Sequence, residues 1–441
     1  MKVTLDVENT TVTRDGKLHL DPFEPTNSLT MVGILTDQGH EQHFPFDHEE
    51  HISGHDYSDR VQWFLDNATV LIMHNAAHDL LWLWESGFTY DGPVFDTMLA
   101  EYVLQRGQKE PLSLEMCANR YELETKKQDT LKEYFRKGVT TRDIPIDELT
   151  EYLSADLHAT QQLADKLYYR INTVPDAGLL ETVILTNKVA VALSRIYQRG
   201  FAVDLDALEE VRSEFETEKK KLVLDLQKHI TKIMGDTPVN LNSPEQLSQV
   251  IYSRKPHDKT MWQNNFDPYM GKGKYKNTVK HNSSLVYKTK AKQCSNCYGN
   301  GKYYKTKKDG TKWAKASNCT ECKGIGYKFI ETTELAGLRF SAPDAKWISA
   351  HGFTTSKGNL EILEGFARQK GMDDAMRFLH KVKRLSALDT YLSSFVDGIK
   401  TFTKTDGKLH VRLLQHRTAT GRLSGADPNM QNMPRGGTFP V

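Results

Sequence analysis

Two carboxylates stand two residues apart near the N-terminus, in the segment from Val3 to Glu8. Apolar and polar residues alternate there, which is the period of a half-buried β-strand, so Asp6 and Glu8 should point to one face. Neighbouring carboxylates repel each other unless a cation lies between them, and hard oxygen ligands suit Mg²⁺ or Mn²⁺. The segment is therefore a candidate metal site, although an edge strand with a solvated acidic face explains Asp-x-Glu better when it is taken alone.

Two later segments add polar groups at helical spacing. Asn75 and Asp79 follow a strand predicted over residues 69–73, and apolar residues after Asp79 indicate a helix that begins there. Tyr152 and Asp156 lie four residues apart on a helix predicted to begin near Ile146, so they share one face. Structural roles fit as well, because Asn75 could cap its helix and Tyr152 could hydrogen-bond to Asp156.

Taken together, the three segments resemble the three exonuclease motifs of the DEDD superfamily in order and spacing. The tyrosine of the third segment marks the DEDDy branch, the proofreading domain of family A DNA polymerases. The stretch Phe95-Asp96-Thr97-Met98-Leu99 is also similar to part of that domain. The resemblance implies an α/β RNase H-like domain, a mixed sheet flanked by helices, over residues 1–175.

The resemblance also implies a chemistry, the two-metal hydrolysis of DNA from a 3′ end with release of nucleoside monophosphates. The implied metal ligands for two Mg²⁺ (or Mn²⁺) ions are Asp6, Glu8, Asp79 and Asp156. Asp6 would bridge the two ions, Tyr152 would orient the attacking water, and Asn75 would place the terminal nucleotide. Only single-stranded or frayed ends should reach such a site.

Four of the five cysteines form two Cys-x-x-Cys-x-Gly-x-Gly repeats, with Cys294 and Cys297 in the first and Cys319 and Cys322 in the second. Two pairs separated by about twenty residues are typical of one tetrahedral zinc ion. Four thiolates leave no open position for water, so the predicted Zn²⁺ is structural. The repeat resembles the zinc modules of J-domain chaperones, from which we infer only the metal geometry.

Charge is distributed unevenly along the 441 residues. Residues 1–175 contain 15 Lys and Arg against 30 Asp and Glu, whereas residues 251–330 contain 18 against 4. The aromatic residues interleaved with this basic excess are Tyr275, Tyr287, Tyr298, Tyr303, Tyr304 and Trp313. The pattern suits a nucleic-acid backbone with exposed bases, but a docking platform for a processivity or replisome factor and a solubilised loop held by zinc remain open.

The remaining sequence is mostly helical, with helices predicted over 179–199, 204–233, 359–369 and 375–399 and another from Ser243. The segments Ser194-Arg195-Ile196, Asn240 to Leu247 and Arg384 to Tyr391 resemble the thumb of the same polymerases, which grips the primer-template duplex. The predicted domains are an exonuclease domain at 1–175, a mostly helical thumb at 176–252 and 336–405, a zinc insertion at 253–335, and the start of a palm at 406–441.

The segment from Thr418 to Pro434 resembles the stretch that opens the family A palm. The DNA contacts expected there are Arg417, Thr420, Arg422, Asn429 and Gln431. Because the palm aspartates and the fingers helix find no counterpart before Val441, the resemblance is to the N-terminal portion of a phage-like family A polymerase. We expect a separate palm-and-fingers chain to be needed for synthesis; the alternatives are a non-catalytic DNA-binding scaffold subunit and a truncated polymerase.

The composition is that of a globular protein, with 38% hydrophobic and 26% charged residues. No apolar run is long enough to span a bilayer, the N-terminus has no secretory leader, and cysteine use favours a reducing compartment. The expected location is therefore the cytoplasm, that of a bacterial host if a phage encodes the chain, with no membrane partner.

Overall fold

The computed structural model describes residues 1–14, 17–51, 55–123, 129–173, 178–256, 283–308, 310–312, 314–341, 347–349 and 352–433. The chain divides into two compact units, one formed by Met1–Leu205 with Asp397–Val441 and the other by Asp206–Val396. The four-part division expected from the sequence stays a prediction. Among the described helices, none is both long and apolar enough to cross a membrane.

The first unit is built on a five-stranded mixed sheet. The strands up to residue 202 are β1 (Lys2–Asn9), β2 (Val12–Arg14), β3 (Lys17–His19), β4 (Leu29–Thr36), β5 (Glu41–Pro45), β6 (Val70–Met73), β7 (Val94–Asp96) and β8 (Phe201–Ala202). The order in the sheet is β5-β4-β1-β6-β7. Strand β1 lies at its centre, antiparallel to β4 and parallel to β6. The predicted strands at 29–36 and 69–73 correspond to β4 and β6.

Helices flank this sheet. They are α1 (Ser58–Asn67), α2 (Ala76–Glu85), α3 (Thr97–Leu104), α4 (Leu114–Arg120), α5 (Asp129–Arg136), α6 (Ile146–Thr173) and α7 (Leu179–Arg199). The apolar residues of β1, such as Leu5, pack with Leu71 of β6 and Leu80 of α2 in one core. Helix α6 packs against β1 and β4. The mixed sheet flanked by helices, expected from the sequence, is confirmed.

The second unit is mainly helical. Its helices are α8 (Leu205–Met234), α9 (Pro244–Tyr252), α10 (Lys357–Gln369) and α11 (Asp373–Thr390). One core joins all four, with Leu226, Val250, Leu363 and Phe378 among its buried members. The helix predicted to continue to residue 399 changes instead to a π-helical turn at Tyr391–Val396.

Short strands complete both units. Those of the second unit are β9 (Arg254–Pro256), β10 (Ser283–Leu285), β11 (Tyr287–Gln293), β12 (Lys302–Tyr303), β13 (Ser317–Asn318), β14 (Tyr327–Leu335), β15 (Ile348–Ser349) and β16 (Gly352–Phe353). The first unit continues with α12 (Asp397–Phe402), β17 (Lys408–Leu409), β18 (Arg412–Leu414) and β19 (Ser424–Ala426). Strand β17 pairs with β8, and β18 pairs with β19.

Candidate active site and metal centre

Strand β1 presents Asp6 and Glu8 on the face that α6 covers. Thr4 lies on the same face two residues earlier, and its hydroxyl donates a hydrogen bond to the side chain of Gln161 on α6. Alternation along β1 therefore directs both carboxylates toward this helix, because successive side chains of a strand point to opposite faces.

A glycine on the neighbouring strand allows α6 to lie close to the sheet. Gly33 of β4 is paired with Asp6 in the sheet register. A Cβ atom at this position would lie 2.8 Å from Cγ of Leu153 and 2.9 Å from Cδ1 of Leu157, closer than van der Waals contact permits. Because Tyr152 and Asp156 precede these two leucines, the close approach brings both polar groups toward the acids of β1.

Tyr152 and Asp156 are joined by a side-chain hydrogen bond. Burial and the negative charges of Asp156, Glu8 and Asp6 raise the pKa of Tyr152 above its ordinary value. The phenol therefore keeps its proton at neutral pH and donates a hydrogen bond to the carboxylate. This electrostatic coupling places the tyrosine and three of the sequence-predicted acids in one site.

Asp79 supplies the fourth acid from the first turn of α2. Its side chain is 2% exposed. Burial, followed by the charges of Asp6 and Asp96, raises the pKa of Asp79 well above its ordinary value, although a hydrogen bond from the Val7 backbone opposes the shift. Asp6 and Asp79 are thus close enough to repel each other, and a cation between them would favour the ionised form of both.

Asp96 organises the turn that carries Asn75, a role that the sequence analysis missed. Its carboxylate accepts hydrogen bonds from the N–H groups of Asn75 at 3.2 Å, Ala76 at 2.9 Å and Leu99 at 3.1 Å. Asn75 occupies the N-cap position of α2 in the left-handed region, at φ 70°, and within the described chain its side chain makes no capping hydrogen bond. Asp96 therefore accepts from the backbone N–H at the start of α2. The simple expectation had been that Asn75 caps this helix.

The carboxyl group of Asp96 is almost completely buried, and burial raises its pKa to about 6. The only sequence signal for this group was the stretch around Asp96 at the start of a helix. Asp96 caps α3 locally through the bond from Leu99, but its bonds to a turn twenty residues away follow from tertiary structure alone.

The four cysteines form a second candidate metal site. Among the described residues, they alone bring three or more potential metal-ligand atoms within 4.8 Å of one another. The Sγ atoms of Cys294 and Cys319 are 3.8 Å apart, and those of Cys297 and Cys322 are 3.5 Å apart. A tetrahedral zinc ion with Zn–S bonds of about 2.3 Å requires edges of about 3.8 Å, so the thiols fit such an ion.

Glycines of the two repeats support these thiols. The N–H of Gly301 points to Sγ of Cys297 at 3.3 Å, and the N–H of Gly326 points to Sγ of Cys322 at 3.2 Å. Despite burial, hydrogen bonds from the N–H of Gly326, the thiol of Cys297 and the N–H of Gly324 lower the pKa of Cys322 to about 6, which favours the thiolate that a metal binds.

The acids of the first site are spread more widely than the thiols. A pair of divalent ions about 3.5–4 Å apart needs ligands distributed over a larger volume than a single ion does. The wider spacing is therefore compatible with two ions, and the tight cysteine cluster with one.

The residues expected to contact DNA at the start of the palm belong to the first unit. Arg417, Thr420 and Arg422 are exposed on the loop between β18 and β19. This loop rests on α3, because the Tyr102 hydroxyl donates to the carbonyl of Thr418 at 2.8 Å. The two remaining residues hold the next turn: the side chain of Gln431 accepts from the N–H of Gly425 at 2.9 Å, and that of Asn429 accepts from the N–H of Gln431 at 3.2 Å.

An α/β unit that gathers four acids and a protonated tyrosine is typical of a 3′-5′ exonuclease, and residues 37–172 match the family described as the 3′-5′ exonuclease of DNA polymerase A. The chain therefore carries a 3′-5′ exonuclease domain of the DNA polymerase A family. The matched segment includes Asp79, Tyr152 and Asp156 and begins after Asp6 and Glu8.

More particularly, the chain is homologous to bacterial DNA polymerase I. It is 22% identical over 352 residues to DNA polymerase I of Bacillus subtilis, covering 80% of this chain and 28% of the relative. The enzyme of Lactococcus lactis is 31% identical over 114 residues, or 24% of this chain and 12% of the relative. That of Streptococcus pneumoniae is 50% identical over 42 residues, or 10% and 5% of the two chains.

A solved structure shows the same fold. The polymerase domain of Pol1 from M. smegmatis, in complex with a DNA primer-template and dNTP, aligns with 99% of this chain and 53% of its own, with a TM-score of 0.55 and 19% identity. The chain thus spans about half of that domain and 28% of the B. subtilis relative. The expected relationship to family A polymerases is confirmed.

Proposed function

We propose that this chain is a metal-dependent 3′→5′ DNA exonuclease that also grips a primer-template, as the N-terminal portion of a family A polymerase. The observation that carries the proposal is the convergence of Asp6, Glu8 and Asp156 around Tyr152, with Asp79 beside Asp6. The electrostatic coupling of Tyr152 to three of these acids, and of Asp79 to Asp6, supports it.

The four acids would hold two Mg²⁺ or Mn²⁺ ions. When bound, such a pair activates a water and neutralises the charge that develops on the leaving oxygen. Without cations, the concentration of negative charge repels a phosphodiester, so we expect no cleavage in the absence of a divalent metal.

Tyr152 orients the attacking water and does not remove its proton. The raised pKa keeps the phenol protonated, so its hydroxyl can donate a hydrogen bond but cannot act as a base near neutral pH. Asn75, held by Asp96 in a left-handed turn beside α2, is positioned to contact the terminal nucleotide.

The helical second unit acts as the thumb, and Arg417, Thr420, Arg422, Asn429 and Gln431 contact the primer-template. The DNA complex of the M. smegmatis domain supports this assignment. We propose zinc for the four cysteines, on the fit of their Sγ spacing. The separate palm-and-fingers chain stays a prediction: adding such a chain with deoxynucleotides should convert primer shortening into extension.

The test of the exonuclease assignment is the double variant Asp6→Ala/Glu8→Ala. On a labelled single-stranded oligonucleotide with Mg²⁺, we expect the rate of 3′ shortening to fall at least about a thousandfold, because two ligands of the ion pair are lost. Binding of the same oligonucleotide without metal should change little.

The control is Glu151→Ala/Asp165→Ala, which removes two exposed acids from α6 and should retain the parental rate. Unchanged nuclease activity in Asp6→Ala/Glu8→Ala would remove the site assignment. A parental chain that binds DNA but never shortens it with Mg²⁺ or Mn²⁺ would favour the non-catalytic scaffold subunit.

A further inference from the structure

One segment of the second unit combines the cysteine cluster with an exposed β-ribbon. We call residues 287–335 the arm: β11 and β14 form its antiparallel ribbon, and the two Cys-x-x-Cys repeats lie between them. The register pairs Lys290 with Ile330 and Lys292 with Lys328. Tyr275 and Trp313, which belong to the basic aromatic pattern of the sequence, lie outside the described residues.

The two faces of the ribbon differ. The edge of β11 that is not paired with β14 contacts the segment after α8: the carbonyl of Thr289 accepts from the N–H of Asp236, its hydroxyl accepts from the N–H of Thr237 at 3.0 Å, and the N–H of Ala291 donates to the Asp236 carboxylate at 2.8 Å. The opposite face carries Lys290 and Lys292, which are both exposed. The edge of β11 and the Thr289 side chain thus anchor the ribbon to the segment after α8, and the face opposite Thr289 presents lysines to solvent.

The charge of the arm is strongly positive. Residues 287–335 contain 11 lysines, no arginine and 4 acidic residues. Lys288 pairs with Glu334 and Lys328 pairs with Glu321. Within the described part of the arm, Lys290 and Lys292 form no ion pair, so their charge is available to an anionic partner.

The cysteine repeats present two different side chains from equivalent backbone positions. Tyr298 follows Cys297 at φ 50°, and Lys323 follows Cys322 at φ 54°. The repeats are closely associated, since the N–H of Cys294 donates to the carbonyl of Gly326 at 2.9 Å and that of Cys319 to the carbonyl of Gly301 at 2.8 Å. An aromatic ring and a lysine are therefore held on one small rigid module.

The aromatic residues of the arm differ in exposure, which distinguishes rings that pack within the arm from rings that could contact a ligand. Tyr303 is half-buried against the cysteines. Tyr298 is 77% exposed, although a ring of this size normally packs against other residues. Its left-handed backbone is fixed by the turn that follows Cys297, so the ring is presented at little entropic cost.

We propose that the arm binds single-stranded DNA, with Lys290, Lys292 and Lys323 on the phosphates and Tyr298 stacked on a base. Alternate residues of a strand are about 6.7 Å apart, which suits successive phosphates of one nucleic-acid strand. An exposed ring adds affinity only where bases are unstacked, as in a single strand. The positive charge together with the exposed ring of Tyr298 favours DNA over an acidic protein surface, because a protein surface offers no bases on which the ring could stack.

This inference is independent of the exonuclease assignment, and its test uses the full chain carrying Asp6→Ala/Glu8→Ala so that the probe is not degraded. The probe is a labelled oligothymidine, titrated over a series of KCl concentrations without added divalent metal. The variants are Lys290→Gln/Lys292→Gln/Lys323→Gln, Tyr298→Ala and Tyr298→Phe. Zinc content is measured for each, because an arm that has lost its metal is uninformative about the side chains.

The triple lysine variant should bind at least tenfold more weakly at low salt and lower the slope of log affinity against log salt by about 2, since each phosphate contact of a single strand contributes about 0.7. Tyr298→Ala should bind about tenfold more weakly without changing that slope, and Tyr298→Phe should remain within twofold of the parent. The matched control, Lys166→Gln/Lys188→Gln/Lys357→Gln, removes three exposed lysines outside the arm and should keep the parental slope.

Affinities within twofold of the parent in both the lysine variant and Tyr298→Ala, with zinc retained, would overturn the proposal. If the variants lose affinity equally for oligothymidine and for a blunt duplex, the proposed preference for single-stranded DNA is wrong. A tenfold loss confined to oligothymidine would support it.

Discussion

The two candidate metal sites of this chain are built in opposite ways. The acid site combines Asp6 on a strand, Asp79 on one helix and Asp156 on another, so its ligands meet only after the sheet and helices have packed. The cysteine site uses two local repeats within residues 294–326. The acid site therefore depends on accurate packing of the whole first unit, whereas the cysteine site depends only on the local structure of its two repeats.

The two sites also differ in how their ligands interact without metal. In the acid site, burial and neighbouring carboxylates raise the pKa of Asp79, so the ionised groups destabilise one another. In the cysteine site, the thiols approach to 3.5 Å and 3.8 Å and receive backbone N–H groups. Without metal, replacing an acid of the first site by a neutral residue should therefore stabilise the folded chain. Replacing a cysteine of the second site should destabilise it.

The largest expected effect is on the cysteine site. Cys294→Ser/Cys297→Ser should reduce the zinc content from one ion per chain to none, because two of four ligands are lost. Among the described residues of the arm, only Tyr303 packs against the cysteine cluster, so limited proteolysis should cut within residues 287–335 at least about tenfold faster.

The same variant should shorten a brief single-stranded oligonucleotide with Mg²⁺ at a rate close to that of the parent, since the acid site lies in the first unit. Cys117→Ser serves as the control because Cys117 is buried in a different core and should leave the zinc content unchanged. Retention of stoichiometric zinc after the double substitution would show that the repeats do not hold the metal.

The sequence predicted much of each site for different reasons. The cysteine spacing predicts its own cluster, which the structure brings together. The alternation around Asp6 and the four-residue step from Tyr152 to Asp156 correctly predict faces of local elements. No local pattern, however, predicts that Asp96 caps α2 from another element or that Gly33 sets the distance to α6, because both depend on contacts between segments far apart in the chain.

Gly33 provides a sharper test of the dependence of the acid site on packing. In Gly33→Ala, the new methyl group would lie 2.8 Å from Leu153 and 2.9 Å from Leu157, so these side chains must be displaced, and we expect α6 to move outward with them. Because this helix carries Tyr152 and Asp156, we expect the rate of 3′ shortening to fall about tenfold. Zinc content should not change.

Gly365→Ala is the matched control, since Gly365 lies within α10 and a Cβ there meets nothing within 4 Å. It should stabilise the second unit by roughly 0.5–1 kcal/mol through helix propensity and leave the nuclease rate unaltered. A parental nuclease rate in Gly33→Ala would mean that the position of α6 is not critical.

The smallest effect tests the contrast in stability directly. Asp79 has a raised pKa in the folded chain, so the folded state binds this proton more tightly than the unfolded state, and stability falls as pH rises from about 4 through the folded pKa. Asp79→Asn removes the charge and keeps an oxygen for the hydrogen bond, so without metal it should raise the free energy of unfolding by about 1 kcal/mol at pH 7.5 and by little at pH 4. Thermal unfolding of the first unit, with and without Mg²⁺, measures this.

Mg²⁺ should stabilise the parent more than the variant, because only the parent retains all four acids. If Asp79→Asn instead destabilises the metal-free chain at pH 7.5, repulsion between the carboxylates does not destabilise the folded acid site. The proposed difference in stability between the acid site and the cysteine site would then be wrong.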